Sequence, residues 1–315
     1  MYVNRSFALL GGQTNYSHAH HEIHDDASTR TFRLSTFFIS IPICLVAVLV
    51  DLLLIFMILR YKAFKTRGNF YILNFCICNI LFLIAEHVLH LSMDLFFGGS
   101  LEIGWYCTFI QLENYFLDLA IVFITVYTVD EYIGMVASDY ISYMYKNGFK
   151  YVIGCTYLLH LILGFIVSNV CFSSSKDIKF HISFIFMTIV YAICWAVIAK
   201  IRYDCRKTAF KNNKYLIQAL SVTQLTLLFF LPVVFYYNVL NIAERIVTDD
   251  NLDVLRSLAV IAEYLAYSAT FGLAYKLFKV NKFYRLAFCK IFRRTNQDLD
   301  FSRLDIVPEA DIDKK

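Results

Sequence analysis

The sequence predicts an all-α membrane protein: a seven-transmembrane helix bundle with a short amphipathic helix after the seventh span. Three observations lead there. The 315 residues are 59% hydrophobic and 17% aromatic but only 17% charged, with three prolines, which is more apolar surface than one soluble core takes up. Charge-poor stretches recur at 37–59, 70–93, 107–129, 149–169, 180–199, 215–240 and 255–277, each with the ~20 residues a helix needs to cross hydrocarbon. Lysine and arginine are concentrated in alternate connections between them. The length of the stretches excludes strands, and a helix in lipid meets its own backbone hydrogen bonds.

Residues 1–36 lack a basic start followed by an apolar run and a small-residue cleavage site, so the first span is expected to act as its own anchor. The first connection carries Arg60, Lys62, Lys65 and Arg67 without an acid. The fifth carries Lys200, Arg202, Arg206, Lys207, Lys211 and Lys214 against Asp204 alone. Both are expected in the cytoplasm. The second and sixth connections, with Asp94, Glu102, Glu244, Asp249, Asp250 and Asp253, fall outside. The chain then divides into an extracellular tail (1–36), the bundle (37–279), an amphipathic surface helix (280–294) and a cytoplasmic tail (295–315). Two glycosylation sequons, at Asn4 and Asn15, lie in the tail assigned to the outside. The same tail's histidine-rich run, His18 to Asp26, reads as a solvated segment rather than a metal site.

Particular residues narrow the class. In the first span LVDLLLI places Asp51, and in the second NFYILNFCICNILF places Asn79. A carboxylate and an amide facing each other across two helices can hydrogen-bond, and an isolated ion in the bilayer is costly, so the two are expected to pair. The third span ends in Asp130-Glu131-Tyr132. The sixth holds Phe230 and Pro232 in LFFLPVVFYYN, and the seventh reads AEYLAYSATFGLAYKLFKVNKFYRLAF with Glu263 near its start and Tyr275 near its end.

In this order the landmarks resemble those of the rhodopsin-like (class A) G-protein-coupled receptors, and Glu263-Tyr264-Leu265-Ala266 with Lys282-Phe283 resembles the ending of chemokine receptors. The likeness covers roughly 37–292. It implies that Asp51 and Asn79 are an exchanged version of the family's amide and carboxylate. It also implies a disulfide between Cys107 and Cys171, and a switch made of Asp130, Glu131, Tyr132, Phe230, Pro232 and Tyr275. Several landmarks differ: Glu131 stands for an arginine, Phe230 for a tryptophan, and Phe271-Gly272 for an Asn-Pro. The implied G-protein coupling is therefore altered or weakened. With the arginine gone, Glu131 is expected to pair with Lys211 or Lys214 at the start of the sixth span. This erosion fits a receptor captured by a virus or a diverged animal orphan.

Glu86, His87 and His90 in the second span, Glu113 and Asp118 in the third, His181 at the fifth and Glu263 in the seventh fall on the outer halves. Intramembrane acids are expensive unless they pair or face water, so a polar cavity for an extracellular basic peptide or chemokine-like ligand is expected. Phe283, Leu286, Ala287, Phe288 and Ile291 return to one side of a basic segment. That suits a helix on the inner leaflet, in contact with membrane lipids and with Cys289 within reach of an acyl chain.

Two other function classes compete. One is a non-signalling scavenger or a trafficking partner that acts through a receptor homo- or hetero-dimer. The other is a seven-helix membrane zinc hydrolase, for which Glu86, His87, His90 and Asp94 offer ligand types on one helix. The receptor reading has no catalytic residue, cofactor, resident metal or nucleic-acid partner.

Overall fold

The computed structural model describes residues 27–85, 87, 103–136, 139–173, 179–207, 213–243, 258 and 260–292, with side chains for 39–85, 87, 111–136, 148–169, 185–207, 213–236, 258 and 260–292. Among them the secondary structure is helical throughout. It comprises α1 (Ala27–Arg60), a 3-10 turn (Lys62–Phe64), α2 (Arg67–Ile84), α3 (Ile103–Val136), α4 (Asp139–Ser173), α5 (Lys179–Lys207), α6 (Lys214–Ala243), α7 (Ala269–Val280) and α8 (Lys282–Ile291). Residues 260–267 are helical ahead of α7, with Ser268 a turn between them.

Six of these helices are long and apolar enough to cross a membrane, α1 to α6 in order. The chain is therefore a multi-pass helical membrane protein. Its outward faces carry large apolar side chains, including Leu49, Leu161, Phe165 and Phe235, each at least 60% exposed. In water such a surface would drive aggregation; against acyl chains it costs nothing. The long helices also run past the apolar stretches: α1 begins at Ala27 and α4 at Asp139.

α3 is the central post, packed on α2, α4, α5 and α6, while α7 closes the ring between α6 and α1. Two glycines permit the closest approaches. A Cβ on Gly272 would lie 2.6 Å from Cε2 of Phe229, and one on Gly68 would lie 2.9 Å from Cε2 of Tyr127. So α7 seats on α6, and α2 on α3, only with the smallest side chain present. In α6, Pro232 has no N–H for the carbonyl four residues earlier. Near this level Tyr191 of α5 donates to the Leu227 carbonyl at 2.7 Å, which ties the proline turn to its neighbour.

The end of the bundle is closed by α8. Asn281 caps it, its side chain accepting from the Phe283 N–H at 2.9 Å. The predicted apolar stripe needs a correction here: Phe283 is 37% exposed, whereas Tyr284, Leu286 and Ala287 are buried. Tyr284 packs on Phe64 at 4.5 Å between centroids and donates to Asn69 Oδ1 at 2.8 Å, because the turn Lys62–Phe64 brings the start of α2 beneath α8. Burial pushes its phenol well above the ordinary value, so Tyr284 stays a neutral donor. Tyr284→Phe is expected to cost about 1 kcal/mol, the net value of one such bond. A thermal unfolding curve in detergent checks it; an unchanged midpoint would mean the bond contributes nothing.

Candidate functional site

Among the described residues, three polar clusters inside the bundle hold the acids singled out from sequence. The first joins α1, α2 and α7. Asn79 Nδ2 donates to Asp51 Oδ2 at 2.7 Å, and Thr270 Oγ1 donates to the other carboxylate oxygen. The Cys76 thiol, one turn before Asn79, is a third partner. Asp51, Asn79 and Thr270 are each 0% exposed. A carboxylate this deep in a membrane span needs its acceptors filled, and two other helices, α2 and α7, supply the donors. Thr270 was not singled out from sequence. A threonine in an apolar run carries no signal of its own, and its use appears only when α7 is laid against α1.

The second cluster surrounds the triplet at the end of α3. Asp130 is 2% exposed, with its Oδ2 3.8 Å from Arg67 Nε at the start of α2. The Glu131 carboxylate lies against the same turn, its Oε1 3.0 Å from where a Cβ of Gly68 would be, and within reach of the Arg67 charge. Tyr132 turns the other way and donates to Asp204 Oδ2 on α5 at 3.1 Å, while Lys200 holds the other oxygen at 3.0 Å. Of the two expected partners of Glu131, Lys214 makes no ion pair with it among the described residues. Lys214 is exposed at the start of α6, and Lys211 lies outside the described residues. The cation that meets the acids comes from α2 because α2 packs more extensively on α3 than α6 does.

Among the described residues, a pair of hydroxyls joins α3 to α6. Thr128 Oγ1 and Thr223 Oγ1 are 2.7 Å apart, and Thr223 Oγ1 also donates to the Ile124 carbonyl at 2.8 Å. Both threonines are 0% exposed. Phe230 is likewise fully buried beside Pro232. Tyr275 is 55% exposed, its hydroxyl 3.2 Å from Lys279 Nζ on the same helix. Thr270, Leu273, Ala274 and Leu277 take the inward face of α7 at helical spacing, which turns position 275 outward.

The third cluster holds the acids of the opposite half. Glu113 and Glu263, both 8% exposed, line one cavity with Asn114, Met187 and Tyr267. Its volume is about 10 Å³, about what one water needs. Asp118 does not join them, because five residues along a helix turn the side chain by about 140°. It lines a second cavity of about 10 Å³ with Gln111, Asn114 and His160. There His160 Nδ1 is 3.0 Å from the Thr156 carbonyl, which assigns the proton to Nδ1 and leaves Nε2 an acceptor. Asp118 Oδ1 is the other buried acceptor, and one water could donate to both.

The remaining expectations are partly or wholly outside the described side chains. His87 is described: Nδ1 lies 3.0 Å from the Leu83 carbonyl and Nε2 3.4 Å from Cys44 Sγ. Glu86, His90, Asp94, His181, Asn4 and Asn15 lie outside. Cys107 falls in α3 and Cys171 in the last turn of α4, both with side chains outside the described set. The seven other cysteines are free thiols, with Cys289 half-buried on α8. No family model matches the chain, and no curated protein matches it.

Proposed function

We propose that the protein is a divergent receptor of the rhodopsin-like G-protein-coupled class, nearest in kind to chemokine receptors, with seven crossings. In this reading residues 260–280 form the seventh, the N-terminus is extracellular, and the membrane is the plasma membrane, a host's if the gene is viral. The ligand is an extracellular peptide or small protein that presents a cationic end to Glu113 and Glu263. Coupling to a heterotrimeric G protein is altered or weakened.

The observation that carries the reading is the convergence of Glu113 of α3 and Glu263 ahead of α7 on one cavity, at the end of the bundle away from the basic connections. Two acids from separate helices facing one space suit a cationic group. The cavity is far smaller than a peptide's end, so binding entails opening of the helices around it. The Asp51–Asn79–Thr270 link supports a seventh helix that closes on the first.

Chemokine panels with binding and signalling scored separately test the proposal. Glu263→Gln is expected to weaken ligand binding about tenfold with surface expression unchanged, on the order of 1.4 kcal/mol. An affinity equal to wild type would return Glu263 to a structural role. The triplet favours a second reading, a receptor that binds without signalling, because its cation sits on α2 rather than on α3. Binding without any second-messenger response would select it. Stoichiometric bound zinc in purified protein would instead favour the hydrolase class.

A further inference from the structure

A cavity much larger than those of the buried acids lies elsewhere in the bundle. It is a groove of about 540 Å³ between α5, α6 and α7, close to the basic ends of the helices. Arg202 and Arg206 of α5 and Lys276 of α7 line it, with Ser221 and Gln224 of α6 between them. Arg202 is held in place by its Nη1 donating to Gln224 Oε1 at 2.7 Å. Among the described residues none of the three cations has a carboxylate partner: Asp204, the acid of α5, is engaged by Lys200 and Tyr132.

The groove opens sideways. Ile217 and Leu228, at its two ends on α6, are 46% and 52% exposed and face away from the core. At 1.5 Å per residue, Arg202 lies roughly 8 Å from the end of α5, Ser221 roughly 10 Å from the start of α6, and Lys276 roughly 6 Å from the end of α7. That is the depth at which a phosphate sits, and long basic side chains reach to it. A soluble protein has no lateral access there, whereas a lipid does. Leu225 and Leu228 continue from Ser221 toward the membrane centre as a track for an acyl chain.

We propose that this groove binds the phosphorylated headgroup of an anionic phospholipid of the cytoplasmic leaflet, with Arg202, Arg206 and Lys276 on the phosphates. Only the choice of leaflet rests on the orientation proposed above. Three cations favour a headgroup with several phosphates over one with a single charge. A lipid seated there touches three helices at once and braces α6 against its neighbours.

The test uses the full chain in nanodiscs of phosphatidylcholine doped with phosphatidylinositol 4,5-bisphosphate or phosphatidylserine, with bound lipid counted by native mass spectrometry. The bisphosphate is expected to bind more tightly than phosphatidylserine. Lys276→Gln should weaken it severalfold and Arg202→Gln with Arg206→Gln and Lys276→Gln at least tenfold, with Lys276→Arg retaining binding and the exposed Lys150→Gln unchanged. Should the triple variant not fold, the rise in wild-type unfolding temperature on adding the lipid, and its reduction in Lys276→Gln, give the same reading. Equal binding by wild type and Lys276→Gln, or an equal loss in Lys150→Gln, would overturn the site. Inositol trisphosphate binding as tightly as the lipid would overturn the membrane ligand in favour of a soluble anion. Nanodiscs expose both faces, so a wrong orientation would leave the binding result standing.

Discussion

Asn79→Asp is expected to lower stability by about 3 kcal/mol, and Asp51→Asn added to it to return most of that loss. Asn79 Nδ2 donates to Asp51 Oδ2 at 2.7 Å in a site where both residues are 0% exposed. A second carboxylate there removes a donor and sets two like charges in contact, and breaking a buried pair from one side costs about 3–5 kcal/mol. One of the two acids would take up a proton, which keeps the cost at the lower end. In the double variant the amide and carboxylate have changed helices. The amide of residue 51 still donates to the acid of residue 79, and Thr270 still finds an oxygen to donate to. Thermal unfolding of the two single variants and the double variant gives the coupling directly. A double variant as unstable as the sum of its singles would show that the pair does not act as a unit.

This cluster also shows how much was legible beforehand. Helix length and order are written in apolar runs that the bilayer thickness enforces, so the six helices able to cross agree with the first six of the seven stretches read from sequence. A charged residue inside such a run is conspicuous, and Asp51, Asp118, Glu113 and Glu263 could be singled out one at a time. Their partners could not, because partnership depends on the rotation of each helix about its axis. Membrane helices are apolar all round, which removes the amphipathic stripe that reports rotation in soluble bundles. Hence Thr270, Thr128 and Thr223 passed unnoticed, the outward face of Tyr275 was not legible, and Glu113 and Asp118 were grouped although their helix separates them.

The same blindness to rotation hid Arg67, which lies beside the acids at the end of α3. Arg67→Glu is expected to reduce surface expression sharply, because it would face Asp130, 2% exposed, and Glu131 with a third acid at the α2–α3 contact. Arg67 itself is 25% exposed, so part of the effect is relieved by water, and a loss of about 1–3 kcal/mol is expected. Lys214→Glu, at an exposed position on α6, should change stability by less than about 0.5 kcal/mol. In a receptor, signalling requires α6 to move from α3, and among the described residues what joins them in this half is the Thr128–Thr223 hydroxyl pair. Thr223→Val keeps the shape but removes both the contact to Thr128 and the bond to the Ile124 carbonyl, each worth about 0.5–1.5 kcal/mol. Two such bonds would shift a balanced α6 equilibrium roughly tenfold or more toward the open form. Basal second-messenger output, or the accessibility of a cysteine label near the start of α6 when no output exists, should therefore rise in Thr223→Val and stay level in Lys214→Glu. A rise in Lys214→Glu with none in Thr223→Val would restore a charge lock between α3 and α6 and refute the hydroxyl one.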